Sequence, residues 1–184
     1  MGFVFLEGGG EFKVGMAAAD MRAIAVCSGP AQPVRIIPTV AAPDNNHGRA
    51  TANGVRWFQG LGAADVRAVA IVDRASADRP DLSEEIEHSR LAFMLGGFTR
   101  YLAETLSVSV AWQAIVSTHR VGAVITDSSA GAMVLCMHYF DTGSGTTRRG
   151  LNLVPRTCAL PHHNRFGKTW AAKLAPLLLG IVQI

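Results

Sequence analysis

Apolar residues recur along this chain in short runs: residues 3–6 (Phe-Val-Phe-Leu), 34–37 (Val-Arg-Ile-Ile), 66–72, 91–95 and 121–126. Each run ends in glycine, proline or polar residues, namely Gly8-Gly9-Gly10, Pro38, Asp73-Arg74, Gly96-Gly97 and Asp127-Ser128-Ser129. Runs of this length bounded by turn residues suit strands buried on both faces of a parallel sheet. The stretches between them can hold helices. Asp44 is placed to cap a helix through Trp57 and Phe58, and Asp81-Leu82-Ser83-Glu84 offers the acidic first turn that a helix N-terminus favours. Strands alternating with helices predict a doubly wound α/β fold with helices on both faces of the sheet. No repeat, low-complexity tract or linker interrupts the pattern, so residues 1–184 read as one domain.

Composition narrows the function classes. The chain has 184 residues, 49% hydrophobic and 17% charged, which excludes a disordered tail, a coiled coil or a collagen-like rod. The formal charge is only +3, and Arg148-Arg149 is the one adjacent basic pair. A nucleic-acid binder concentrates its basic residues, so no such partner is expected. The three cysteines, Cys27, Cys136 and Cys158, are widely spaced and odd in number, which fits reduced thiols rather than a disulfide framework or zinc ribbon. The first residues lack the basic leader of a signal peptide. The apolar tail at 174–184 contains Pro176 and falls short of the roughly 20 residues a membrane span needs. These features point to a cytoplasmic protein with no membrane partner.

In doubly wound sheets ligands bind at the carboxyl ends of the strands. The glycine and polar residues fall there: residues 8–11, Thr39, Asp73-Arg74, Gly96-Gly97 and Ser128-Ser129. The segment Thr126-Asp127-Ser128-Ser129-Ala130-Gly131-Ala132-Met133 carries the chemistry. A β-branched run stops at Asp127. A helical face then begins, with Ala130, Met133, Val134 and Met137 at i, i+3, i+4 and i+7. Ser129 thus falls on a sharp strand-to-helix turn, the geometry of a nucleophile elbow. Gly131 meets the demand for a small residue two positions on, whereas Asp127, two positions before, does not. A serine hydroxyl needs a base, and the base needs an orienting acid. His162, in Pro161-His162-His163-Asn164, follows a short strand-like run, and Asp141 lies between the two. No third histidine or carboxylate stands at ligand spacing beside the His162-His163 pair, so no metal is expected. The residues 8–13, Gly-Gly-Gly-Glu-Phe-Lys, miss the third glycine of a dinucleotide fingerprint and fit close backbone packing beside the site better than phosphate binding.

Together with Ile37-Pro38-Thr39, Gly96-Gly97-Phe98, Gly150-Leu151-Asn152-Leu153-Val154-Pro155 and Pro161-His162, these segments occur in the order seen in the dipeptidase E and cyanophycinase family of serine peptidases, which the chain resembles over nearly its whole length. The resemblance implies a flavodoxin-like three-layer sandwich similar to class I glutamine amidotransferases. It implies a serine peptidase acting on short peptides, without cofactor. Ser129 would be the nucleophile, His162 the base and Asp141 the orienting acid, with an oxyanion hole from the N–H groups of Gly97 and Ala130. Arg74 and Arg165 flank strand ends and are the candidates for substrate binding. Two departures motivate an alternative, a weakened enzyme or non-catalytic binding module. Asp127 would distort the turn or set a negative charge near the oxyanion, and the sheet is expected to be truncated after the helix that follows His162, leaving an exposed edge. An amidotransferase is disfavoured by serine, rather than cysteine, at position 129.

Overall fold

Strands with no polar face to present must be covered on both sides, and the central strands here are buried throughout. The computed structural model describes residues 1–162 and 169–171, and the backbone of 182–183. Strands β1 (Val4–Glu7), β2 (Val34–Ile37), β3 (Val66–Ala68), β4 (Leu91–Met94) and β5 (Val124–Ser128) form one sheet in the order β1-β5-β4-β2-β3. All four pairings are parallel. Helices α1 (Ala17–Val26), α2 (His47–Gly60), α3 (Arg74–Ala77), α4 (Pro80–Glu87), α5 (Thr99–Leu106), α6 (Val110–Arg120) and α7 (Ala130–Leu135) connect and flank them. Right-handed crossovers put α1 and α2 on one face and α4 and α6 on the other. Trp57 Nε1 on α2 donates to Asp20 on α1 at 2.8 Å, which ties the first pair. This is the expected mostly parallel α/β sandwich. Its core is built from Ile36, Ile37, Leu91, Phe93, Met94, Val124 and Ile125 of the sheet, with Phe58, Leu102, Leu106 and Ile115 from the helices.

Several elements depart from the sequence pattern. The run 66–72 forms only a three-residue strand, because its one partner, β2, stops at Ile37 before Pro38. Asp44 does not cap α2. The chain makes a further turn, with Asn45 at φ 52°, and the helix begins at His47 after Asn46. The fifth strand starts three residues later than its apolar run and continues through Asp127 and Ser128. Helix α7 ends at Leu135, short of Met137, and all six of its residues are buried rather than one face. His138 and Asp141 lie on β6 (His138–Asp141), which pairs antiparallel with β7 (Thr146–Arg149). The short strand-like run before His162 forms β8 (Thr157–Cys158), paired with β9 (Val182–Gln183).

Among the described residues no helix is long and apolar enough to cross a membrane. All three cysteines are buried free thiols.

Candidate active site

The registers of β1, β5 and β4 bring three chain turns to one place. Glu7 pairs with Ser128, and Met94 with Asp127, so residues 8–11, Ser129 and Gly96-Gly97 leave the sheet side by side. Ser129 links β5 directly to α7 with φ 49° and ψ −97°. A side chain rarely adopts that conformation, which costs on the order of 1–3 kcal/mol and persists only where the surroundings enforce it. Here they do. Ser129 N donates to the Glu7 carbonyl at 2.8 Å, and the Ser129 carbonyl accepts from Met133 N at 3.1 Å. Close neighbours leave no slack: a Cβ on Gly131 would stand 2.7 Å from the Asp127 Cβ, and one on Gly96 would stand 3.1 Å from the Ser129 Cβ.

The hydroxyl so presented meets an imidazole. Ser129 Oγ lies 2.6 Å from His162 Nε2 across 33 residues of sequence. His162 follows β8, and its ring packs on Gly9, where a Cβ would overlap it. Of the three glycines after β1, it is Gly9 that makes this close approach. The N–H groups of Gly97 and Ala130 have no acceptor among the described residues, and both belong to the turns that adjoin Ser129.

Asp141 is not brought to this pair. Its carboxylate accepts from Arg148 Nε at 2.6 Å, the Ser144 hydroxyl at 2.9 Å and Gly143 N at 3.1 Å. Burial works against its charge, but these donors outweigh it and hold Asp141 below the ordinary aspartate range. The residue closes the β6–β7 turn. Asp141 thus closes the hairpin at 142–149, and among the described residues no hydrogen bond joins it to His162. Among the described residues His162 has no carboxylate partner. Arg74 is likewise committed elsewhere. It donates to Asp78, to the Ser107 carbonyl and to the Val108 carbonyl, joining α3 to the turn between α5 and α6. Arg165 and His163 lie outside the described residues. No group of three or more histidine, cysteine or acidic side chains is placed to hold a metal ion among the described residues.

Asp127 closes the apolar run from within β5. It is fully buried, and neither carboxyl oxygen has a hydrogen-bond partner among the described residues. Burial pushes its carboxyl well above the ordinary range.

A second acidic group escaped the sequence reading. Glu7 is buried and its carboxyl is pushed up to about 9, first by burial and then by Asp20. Burial raises Asp20 too, opposed by Glu7 and by the Trp57 indole. Glu11 completes the group: its Oε2 accepts from Gly96 N at 2.6 Å. Burial raises Glu11, while the Gly96 N–H and the Ser128 hydroxyl oppose the rise. The available signal was an acid closing an apolar strand, and another inside an alanine-rich helix.

The description peptidase family S51 matches residues 4–176, almost the entire chain. The chain belongs to this family. Among solved structures, a peptidase from an acI-B1 Actinobacterium is similar at 26% identity, with a TM-score of 0.85 over 98% of this chain and 76% of that one. A putative peptidase E protein from Listeria monocytogenes EGD-e shares the fold, with a TM-score of 0.71 at 20% identity over 100% of this chain and 90% of that one. No curated protein matches the sequence. Membership in family S51 makes the chain a peptidase of the dipeptidase E type, and its sheet has the architecture of peptidase E-like proteins.

Proposed function

We propose that this S51 member is a serine peptidase that hydrolyses short peptides, with Ser129 as nucleophile and His162 as general base. The observation that carries the reading is the 2.6 Å contact between Ser129 Oγ and His162 Nε2 at a strained strand-to-helix turn. That distance is within the reach a base needs to take the hydroxyl proton. In the proposed reaction Oγ attacks the peptide carbonyl carbon as its proton passes to Nε2. The carbonyl π electrons move to oxygen, and the N–H groups of Gly97 and Ala130 receive the developing charge. Collapse of the tetrahedral state expels the amine, which takes the proton from the imidazolium. Water then repeats the sequence on the acyl-enzyme. Donors aimed at charge that exists only in the transition state typically contribute about 2.7–4 kcal/mol each. Three free, buried thiols suit a reducing compartment such as the cytoplasm.

The test combines a fluorophosphonate label with a dipeptide panel that includes Asp-X substrates. Wild type is expected to be labelled at Ser129 and to cleave; Ser129→Ala should do neither, and His162→Ala should lose most of both. The lack of a carboxylate on His162 among the described residues favours the second reading, a binding module on the same fold. Absence of labelling in the folded wild type would select that reading.

A further inference from the structure

We propose that Glu11 is a positioning residue for catalysis, holding the Gly96-Gly97 turn so that the Gly97 N–H faces the reacting carbonyl; the inference rests on the peptidase reading above. Glycine at position 96 is dictated by sterics. A Cβ there would stand 3.1 Å from the Ser129 Cβ and 3.2 Å from the Ser128 carbonyl oxygen. The next residue is also glycine, and a Cβ on Gly97 would stand 2.7 Å from the Val40 carbonyl oxygen. Close packing therefore requires two successive glycines where a hydrogen-bond donor has to be held to a fraction of an ångström. Glycine has the most backbone freedom of any residue, so the same packing leaves the donor poorly restrained.

The flanking residues are fixed: Leu95 N donates to the Ile37 carbonyl at 3.3 Å and Phe98 N to the Val40 carbonyl at 3.2 Å. Between them, among the described residues, the Gly96 N–H bond to Glu11 is the one hydrogen bond made by a glycine N–H. At 2.6 Å it has the length of a strong, charge-assisted contact. Glu11 Oε2 would also stand 3.3 Å from a Gly96 Cβ, so carboxyl, glycine and serine are stacked in contact. Glu11 has no ion-pair partner among the described residues, so no cation offsets its burial. It belongs to the loop whose Gly9 supports His162. One short segment thereby braces both the base and the turn that carries the donor.

The experiment compares Glu11→Ala, Glu11→Asp and Glu11→Gln with wild type on one cleaved dipeptide. Misplacing a catalytic group by about 1 Å can cost about 10²-fold. Glu11→Ala and Glu11→Asp, which lack the group or its reach, should lose about that factor in kcat with KM nearly unchanged. Glu11→Gln keeps an oxygen that can accept from Gly96 N and should restore most of kcat. Affinity for a peptide boronate, a mimic of the tetrahedral state, should fall with kcat, while affinity for the product should not. A merely structural role would lower the melting temperature and leave kcat per folded molecule and boronate affinity intact; that result overturns the proposal. So does a Glu11→Gln variant as impaired as Glu11→Ala. If Glu11→Ala does not fold, the Asp and Gln variants decide on the same criteria. A wild type that neither cleaves nor takes the fluorophosphonate label sinks the peptidase reading and this one with it, whereas an active wild type matched by Glu11→Ala sinks this one alone.

Discussion

Gly9 lies against the imidazole of His162, so closely that any Cβ at position 9 would overlap the ring. The backbone there has φ 124°, a conformation glycine tolerates and other residues do not. A glycine here is what lets the turn after the first strand lie against the His162 ring.

Gly9→Ala should therefore push the ring off Ser129. Hydrolysis and fluorophosphonate labelling should fall by about 10²-fold or more, the scale expected for a displaced catalytic group. The loop is at the surface end of the sheet, so the melting temperature should drop far less than for a core substitution. Calorimetry beside labelling kinetics checks both halves.

Asp141→Asn separates an orienting acid from a hairpin lock. Removing the orienting aspartate of a serine protease triad costs about 10⁴ in kcat. Because the Asp141 carboxylate is held by Arg148, Ser144 and Gly143, the loss here should be under about tenfold, with lowered stability instead. Its pKa is depressed in the folded protein, so its contribution is present above the unfolded aspartate value and is lost as pH falls through the folded one. The stability difference between wild type and variant should vanish under acid conditions.

Glu7 predicts the opposite pH trend. Its folded carboxyl titrates at about 9, while the unfolded one titrates near its ordinary value of 4.5. Between those limits the folded state holds the extra proton, so stability falls as pH rises. Glu7→Gln removes this titration. Its melting temperature should vary less from pH 5 to 9 than that of wild type.

Asp127→Ala should stabilise the protein. An unsatisfied buried polar group costs about 1–3 kcal/mol, and alanine keeps the Cβ that touches Gly131 while discarding the carboxyl. Burial raises this carboxyl's pKa in the folded protein above its unfolded value, so the gain should grow as pH rises above the ordinary aspartate value. Chemical denaturation at pH 5 and pH 8 measures the gain at each. A loss of stability at both would contradict the buried, unpartnered environment.

The apolar runs by themselves determined the parallel α/β sheet, because strands covered on both faces leave an unbroken hydrophobic signature that needs no knowledge of their neighbours. The Ser129 turn was legible for a similar reason: strand pattern, small residues and helix pattern are local and contiguous. Sequence order could not decide which distant groups meet. His162 reaches Ser129 because β8 and the β1 turn converge on it, whereas Asp141, nearer in sequence, is drawn into a hairpin whose turn offers three donors. Nor could it say that burial raises the carboxyls of Glu7 and Asp127, or that Glu11 grips Gly96. Charge state and reach follow from burial and from the register of strands far apart in the chain, and those exist only once the sheet has closed.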